Sequence, residues 1–287
     1  MMMSIVVNTN VQSLNAQRLL SSNTKSLGKS LEKLASGYRI NRASDDAAGL
    51  QISESLRSQI RGSQQANNNV QDGINLLNTA DGAFETITNN LQRIRELVVQ
   101  GGNDTLAPQQ RSAINSELLQ LATDVTRIAN STQFNKINLL DGSKSTLKLQ
   151  VGANAVSTTD VIDIGANNIF ASASASSLGL FSAGALLTKV NTNTSALKSL
   201  SIVDAALQTV QNRRAAIGAL TNRLDGASAN LSISVENFSA SESRIRNADI
   251  AKESATLTKN QVLQQASAQI LGQANQTSQL ASNLLRG

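Results

Sequence analysis

Three copies of a serine–lysine spacing near the start of the chain are the pattern that most suggests chemistry. In each copy a serine precedes a lysine by three residues, as the nucleophile precedes its lysine in some acylating enzymes. The copies follow one another at four-residue intervals, as Ser22/Lys25, Ser26/Lys29 and Ser30/Lys33. The companion motifs of that chemistry, Ser-Asp-Asn and Lys-Thr-Gly, do not occur. Repetition at this interval indicates the surface of a helix and not a catalytic site.

The residue types that usually carry catalysis and metal binding are scarce. The chain has no cysteine and no histidine, which excludes disulfides, thiolate metal sites and the commonest general base. Segment 141–146 has the composition of a phosphate-binding loop but lacks the first glycine at the required spacing. The carboxylate pairs Asp45–Asp46 and Asp160/Asp163 have no further ligands organised around them in the sequence. We therefore predict a protein that is not an enzyme and binds neither metal nor cofactor.

Composition favours thin helical packing over a thick globular core. Of the 287 residues 40% are hydrophobic but only 2% are aromatic, so leucine, isoleucine, valine and alanine must fill the core. The net charge of +5 raises nucleic acid as a partner, but the basic residues are scattered and aromatic residues for base stacking are almost missing. No run of about 18 apolar residues occurs, and the first residues lack the features of a secretory signal. We expect neither nucleic-acid binding nor a membrane span.

Helical periodicity dominates the chain. The clearest stripe recurs in steps of three and four through Val70, Ile74, Leu77, Ala80, Phe84, Ile87, Leu91, Ile94 and Val98. Gly101 and Gly102 predict its end, and Pro108 fits the first turn of a second helix with a stripe from Ile114 to Ile128. A third stripe runs from Leu200 to Phe238 and is interrupted only by Arg214. The fold class predicted is mainly α, a long antiparallel helical bundle or coiled coil from both termini.

The middle of the chain has a different pattern. Residues 146–151 alternate between polar and apolar, and residues 161–164 form a second short strand candidate, so we predict a small β-hairpin region at residues 137–165. Residues 166–187 are rich in alanine, serine and glycine and predict a surface loop with little core.

Both ends of the chain have thin helical stripes, diluted by glutamine, asparagine and serine. They consist of Leu20, Leu27, Leu31, Leu34 and Tyr38 at one end and of Leu263, Ala266, Ile270, Ala274, Ala281 and Leu284 at the other. Ordering a residue costs roughly 1–2 kcal/mol of backbone entropy, which so few apolar contacts do not offset. We predict that the ends are mobile in the monomer and fold by pairing with each other and with copies of the chain. The alternative is that they are the closing helices of one compact bundle.

Several segments of the sequence resemble bacterial flagellins, in order and at both ends. These segments are residues 8–18, 34–50, 91–97, 132–135, 261–266, 273–276 and 284–286. The resemblance covers about residues 4–165 and 195–286. It implies a secreted structural subunit that polymerises into the extracellular flagellar filament used for swimming. A hook–filament junction or adaptor protein, which shares the terminal design, is the alternative.

The resemblance also implies domains and partners. Residues 1–42 and 247–287 would form the inner domain at the filament core, and residues 43–165 and 190–246 an outer rod carrying the hairpin. Residues 166–189 would be a short remnant of the variable region, where many flagellins carry large outer domains. The implied partners are further copies of the chain, an export chaperone at the C-terminal segment, and the hook-associated junction and cap proteins. Flagellins leave the cell unfolded through the flagellar type III export channel.

A vertebrate Toll-like receptor detects several flagellins, and the resemblance places its contacts at Gln92, Arg93, Leu97 and Glu117. Arg93 and Leu97 are four residues apart and lie on one face of a helix. Both lie off the stripe formed by Leu91, Ile94 and Val98. We therefore expect them to face solvent in a monomer and to be buried between subunits in a polymer.

Overall fold

The computed structural model confirms a mainly helical chain. It describes residues 9–144, 146–154, 156, 158–165, 168–182 and 185–284, without the side chains of residues 182, 185, 278 and 281–284. In chain order the elements are α1 (Val11–Ser36), α2 (Ala47–Gly101), α3 (Pro108–Ser131), β1 (Gln133–Phe134), β2 (Ile137–Asn138), β3 (Lys148–Gln150), β4 (Val161–Asp163), β5 (Phe181–Ser182), β6 (Ala185–Leu186), α4 (Asn193–Arg246) and α5 (Ile250–Leu284).

The chain divides into two compact units. Unit 1 comprises Met1–Ser58 with Asn237–Gly287, and unit 2 comprises Gln59–Glu236. Within unit 1, α1 packs against α5. Within unit 2, parts of α2 and α4 pack with α3 and the three short hairpins around one hydrophobic core.

The core of unit 2 confirms the predicted stripe of α2. Eight of its nine residues are at most 1% exposed, and the ninth, Ile74, packs against the same core while partly buried. Arg214, where the stripe of α4 is interrupted, donates to both carboxylate oxygens of Asp81 on α2 at 2.8 and 3.2 Å. This planar, two-pronged pair lets a charged residue occupy the seam between two helices.

The predicted hairpin region is confirmed and is anchored to α2 through glycines. β3 pairs antiparallel with β4, with Leu149 opposite Ile162. A side chain at Gly73 of α2 would come within 2.5 Å of the Leu149 side chain, and one at Gly62 within 2.8 Å of Ala153. Glycine is unfavourable inside a helix, so these two positions are explained by the close approach of the hairpin. A second hairpin, β1–β2, turns through Asn135 and Lys136 at positive φ.

The predicted surface loop at residues 166–187 is wrong for its described part. Ile169, Phe170, Leu178 and Leu180 are all at most 7% exposed and belong to the core of unit 2. Arg213 of α4 donates to the carbonyl oxygens of Ala171 and Ser172 at 2.9 and 3.2 Å, and burial lowers the pKa of its guanidinium. Its end forms the short hairpin β5–β6, and the residues before it have no helical or strand periodicity although several of them lie in the core. Composition alone therefore hid its contribution to the core.

Candidate assembly surfaces

The seam between α1 and α5 is lined by small and polar side chains. On α1 the residues at seven-residue intervals are Ala16, Asn23 and Ser30, and on α5 they are Asn260, Ser267 and Ala274. Ala16, Ser30, Ser267 and Ala274 are between 3 and 8% exposed. We call these six residues the small polar row. Such small side chains allow two helices to approach closely, and a seven-residue repeat keeps them on one stripe.

Hydrogen bonds connect the two helices along this row. Asn23 donates its amide to the Ser267 hydroxyl at 2.8 Å, and Asn260 donates to the Ser30 hydroxyl at 3.3 Å. Near the other end of the pair, Asn10, the N-cap of α1, donates to the carbonyl oxygen of Ala274 at 2.8 Å. Because residue numbers rise along α1 as those of their partners fall along α5, the helices are antiparallel.

A second row, half-buried, completes the seam. It consists of Leu20, Leu27 and Leu34 on α1 and of Leu257, Gln264 and Leu271 on α5. The three predicted leucines of α1 are therefore in the seam, as is Ala274 of α5. Three other predicted residues are not: Leu31, Leu263 and Ile270 are 50%, 39% and 59% exposed. On α5, Gln264, Ser267 and Leu271, each one position further along the chain, are less exposed than Leu263, Ala266 and Ile270. The backbone of α5 ends at Leu284, whose side chain lies outside the described residues.

Large apolar side chains instead point outward from both helices of unit 1. Besides Leu31, Leu263 and Ile270, those exposed on α1 and α5 are Val11, Leu14, Leu19, Ile250, Val262 and Leu280. Single exposed apolar residues are common on folded proteins, but a large exposed apolar surface marks an interaction site. We call these nine residues the outward apolar set.

The chain segments at the base of α1 and α5 are clasped by backbone hydrogen bonds. Gly37, at a φ of 73° that favours glycine, ends α1, and its carbonyl oxygen accepts from the Ala248 amide at 2.9 Å. The Arg39 amide donates to the carbonyl oxygen of Arg246 at 2.6 Å. The Arg246 guanidinium lies 4.7 Å from the centre of the Tyr38 ring and donates to Glu54 at 2.7 Å. The sequence predicted a bend here but gave no sign of these contacts.

Acid is expected to weaken this clasp. The hydrogen bond from Arg246, and then that from Arg57, lowers the pKa of the exposed Glu54 carboxyl. A carboxyl whose pKa is lower in the folded state stabilises the fold fully above its ordinary pKa, roughly 4.3, and loses that contribution as the pH falls through the lowered value. Below pH 4.3 we expect the unfolding temperature of the parent chain to fall more steeply than that of Glu54→Gln. Glu236→Gln is the control, since Glu236 is exposed and has no ion pair among the described residues. Parallel pH profiles for the parent and Glu54→Gln would contradict this assignment.

Unit 2 presents a charged surface on α2 and α3. Arg93 of α2 donates to Glu117 of α3 at 2.9 and 3.1 Å and to Glu96 at 3.1 Å. These bonds raise the pKa of the Arg93 guanidinium, and the bond to Glu96 makes the largest contribution. The side chains remain between 44 and 68% exposed, and Gln92 beside them is also exposed. The structure thus brings Gln92, Arg93 and Glu117 together on one open face.

Leu97 does not belong to that face, and its predicted exposure is wrong. It is 2% exposed and lies in the core with Ile94 and Val98. The single stripe through Leu91, Ile94 and Val98 underestimated the buried width of α2. A helix with core neighbours on more than one side buries additional positions of the three-and-four pattern, and Leu97 is one of them.

The described residues offer no obvious site for chemistry. Within the described ranges no three Asp or Glu side chains gather closely enough to hold a metal ion. Of the helices described, none has both the length and the hydropathy needed to cross a membrane.

Comparison with known proteins gives the same pattern at both ends. The profile of the bacterial flagellin N-terminal helical region matches residues 7–145, and that of the C-terminal helical region matches residues 200–285. The chain is 42% identical over 282 residues to a flagellin of Halalkalibacterium halodurans, covering 98% of this chain and all of that protein. It is 40% identical over 289 residues to the flagellin FlaB1 of Treponema pallidum, with the same coverage.

A solved structure supports the fold. The structure of a putative flagellar hook-associated protein from Vibrio parahaemolyticus superimposes with a TM-score of 0.58, covering 71% of this chain and all of that one. The two sequences are only 16% identical, so the likeness extends to the fold alone.

Proposed function

The chain belongs to the bacterial flagellin family, and we propose that its two ends form the inner domain of the polymer and its middle the outer domain. As a flagellin it is a structural subunit of the extracellular flagellar filament, which serves motility, and not an enzyme. The inner domain proposed comprises residues 1–42 and 247–287. The outer domain comprises residues 43–165 and 190–246, with residues 166–189 as the remnant of the variable region.

The outward apolar set is the observation that carries this proposal. Unit 2 exposes some large apolar residues, such as Leu197 and Ile233, but buries its long stripes in a core of its own, whereas none of the described leucine, isoleucine and valine side chains of α1 and α5 is fully buried. Burying one such side chain contributes about 1.5–3 kcal/mol. Contact with neighbouring copies therefore offsets the conformational entropy that α1 and α5 lose when they are ordered, which their thin seam alone does not offset. The proposed polymerisation residues are thus Leu31, Leu263 and Ile270 on the outside, with Leu20, Leu27, Leu34, Ala274 and Leu284 on the paired helices.

Seeded growth tests the proposal. Purified chain added to short fragments of its own filaments is expected to extend them, because each filament end presents the exposed surface of unit 1. The readout is the length of filaments in negatively stained images over time. If the fragments do not lengthen at any chain concentration that can be reached, the proposal is contradicted.

Further partners follow from the same surfaces. An export chaperone at the C-terminal segment would cover Val262, Ile270 and Leu280, which are 59%, 59% and 62% exposed on α5. Junction and cap proteins at the filament ends would contact the same surface of unit 1 that a neighbouring copy covers inside the filament. These assignments rest on family membership and on the exposure of α5.

We further propose that Gln92, Arg93 and Glu117 form a contact surface for the vertebrate flagellin-sensing Toll-like receptor, with buried Leu97 supporting α2 beneath them. The Arg93–Glu117 pair links two helices and fixes the guanidinium on an open face. Arginine fixed in this way is a residue type that dominates binding energy at interfaces. Leu97 is not proposed as a direct contact.

Monomer carrying Arg93→Ala with Glu117→Ala is expected to bind the receptor at least about 30-fold more weakly, since hot-spot truncations cost about 2 kcal/mol or more. The matched control is Asp124→Ala with Arg127→Ala, an exposed ion pair of 2.9 Å on α3 of the same unit. Equal affinities for the double variant, the control and the parent would eliminate the proposed contact.

A further inference from the structure

Two hydrogen bonds in the seam of unit 1 are reciprocal. At one level α1 supplies the amide and α5 the hydroxyl, in Asn23–Ser267. Seven residues later on α1 and seven residues earlier on α5 the roles are exchanged, in Ser30–Asn260. At the level on the other side, alanine faces alanine, because Ala16 and Ala274 are both buried at the same spacing. We call Asn23–Ser267 and Ser30–Asn260 the two rungs.

A second stripe of α5, with as many apolar residues, could have filled the seam that contains the rungs. Residues one position earlier on α5, among them Leu263, Ala266 and Ile270, form a stripe of the same period. Turning α5 by about 100°, the angle between successive residues of a helix, would bring that stripe against α1. Leu263 would then replace Gln264, and Ile270 would replace Leu271. Thr256 would replace Leu257 at the same time, so each arrangement places two large aliphatic residues of α5 in the seam and apolar burial alone does not choose between them.

We propose that the two rungs decide which faces of α1 and α5 meet, and that they thereby keep Leu263 and Ile270 on the outside for a second copy of the chain. The second clause rests on the proposed function, whereas the first concerns the helix pair alone.

Polar pairing explains why the turned arrangement is not adopted. With α5 turned by one position, Ala266 would face Asn23, and its methyl group cannot accept the amide hydrogen. Lys259 would face Ser30 and bring an ammonium group to the seam. Gln273 would face Ala16, where a methyl group now meets a methyl group. A buried amide without a partner and a charge near an apolar seam are both unfavourable, so each level opposes the turn.

The clasp at the base of the helices does not make this choice by itself. Its hydrogen bonds join Gly37 with Ala248 and Arg39 with Arg246, and so fix where α1 ends and α5 begins. They lie outside both helices, whereas the facing residues further along are joined by side chains of the seam. Two further side-chain bonds there, Ser13–Asn275 and Gln264–Thr24, are exposed, while the rungs are partly buried. The rungs are at residues 23 to 30 and 260 to 267, well into the helices.

Engineered cysteines can report the facing residues, because the chain has no cysteine of its own. Ala16→Cys with Ala274→Cys reports the observed arrangement, and Ala16→Cys with Gln273→Cys reports the turned one. Each pair is placed in three full-length backgrounds. These are the parent, an exchange variant (Asn23→Ser with Ser267→Asn) that keeps an amide opposite a hydroxyl, and a rungless variant (Asn23→Ala, Ser30→Ala, Asn260→Ala and Ser267→Ala). Disulfide formation is followed in both dilute and sedimented chain, with seeded growth measured separately.

In the parent and the exchange variant, we expect the 16–274 disulfide to form at least about tenfold faster than the 16–273 disulfide, because bridging requires specific geometry. In the rungless variant we expect the rates of the two disulfides to differ by less than about threefold. We also expect that this variant needs a chain concentration at least about tenfold higher for seeded growth.

A rungless variant that keeps the tenfold preference would overturn the proposal. So would loss of both disulfides in that variant, since the rungs would then hold the helices together without choosing their faces, and so would a parent without any preference. If the parent shows the preference but never extends seeds, the proposed function fails while the role of the rungs stands. If the rungless variant loses the preference but extends seeds like the parent, only the link to the second copy fails.

Discussion

Ile270→Asp is expected to stop seeded growth, raising the chain concentration needed for elongation at least 100-fold. Ile270 is 59% exposed on α5, belongs to the outward apolar set and lines an open groove together with Leu19 of α1. If another copy covers this position, the aspartate must either lose its hydration or hold the copies apart. Burial of an unpaired charge costs several kcal/mol, and each 1.4 kcal/mol is about tenfold in an equilibrium constant.

The control for this change is Ile270→Val, which removes one methylene group and keeps the surface apolar. It should grow from seeds at nearly the parental concentration, since deleting one buried methylene costs about 1 kcal/mol. The unfolding temperature of unit 2 should be the same in all three chains, because Ile270 lies in unit 1. Normal growth by Ile270→Asp would show that this face of α5 is not covered in the filament.

Phe170→Ala is expected to lower the free energy of unfolding of unit 2 by about 3–5 kcal/mol, the usual cost of emptying an aromatic site in a core. Phe170 is 1% exposed and lies in the segment that composition predicted to be a surface loop. The carbonyl of the next residue, Ala171, accepts from Arg213, so the backbone cannot easily move to fill the cavity. Chemical denaturation of the dilute monomer measures the loss.

Ile233→Ala on α4 is the matched control, because it truncates a large aliphatic side chain that is 56% exposed. Its effect should stay within about 0.5 kcal/mol, as for most surface substitutions. Equal effects of the two changes would mean that residues 168–180 do not belong to the core.

The sequence predicted well those parts of the fold in which a single physical cause, such as burial of one helix face, sets the residue pattern. The stripe from Val70 to Val98 is long, continuous and strictly periodic, so only a buried face of a helix fits it, and it was confirmed almost residue by residue. Hairpin β3–β4 was recognisable from alternation and turn residues. Gly62 and Gly73 of α2 could have been read as points of close approach, but the sequence does not show what approaches them.

The misses arise where several weak preferences compete. On α5 the apolar stripe marks Leu263 and Ile270, but it does not show that both are exposed in the single chain while Ser267, bonded to Asn23, is buried in the seam. Leu97 was misplaced because the width of a buried face depends on how many helices contact it, which periodicity within one helix does not encode. Phe170 was missed because isolated apolar residues in an irregular segment have no period to detect.

Hydrogen exchange along α1 and α5, measured in dilute chain and in filaments, tests the central claim most directly. That claim is that the terminal helices acquire their stability from other copies, because their own seam is thin and polar and their large apolar residues face outward. The claim predicts that amides of residues 11–36 and 250–284 exchange rapidly in dilute chain and slowly in filaments, while the core of α2 is protected in both. Slow exchange of the terminal helices already in dilute chain would contradict it, and would show that they close a bundle that is stable on its own.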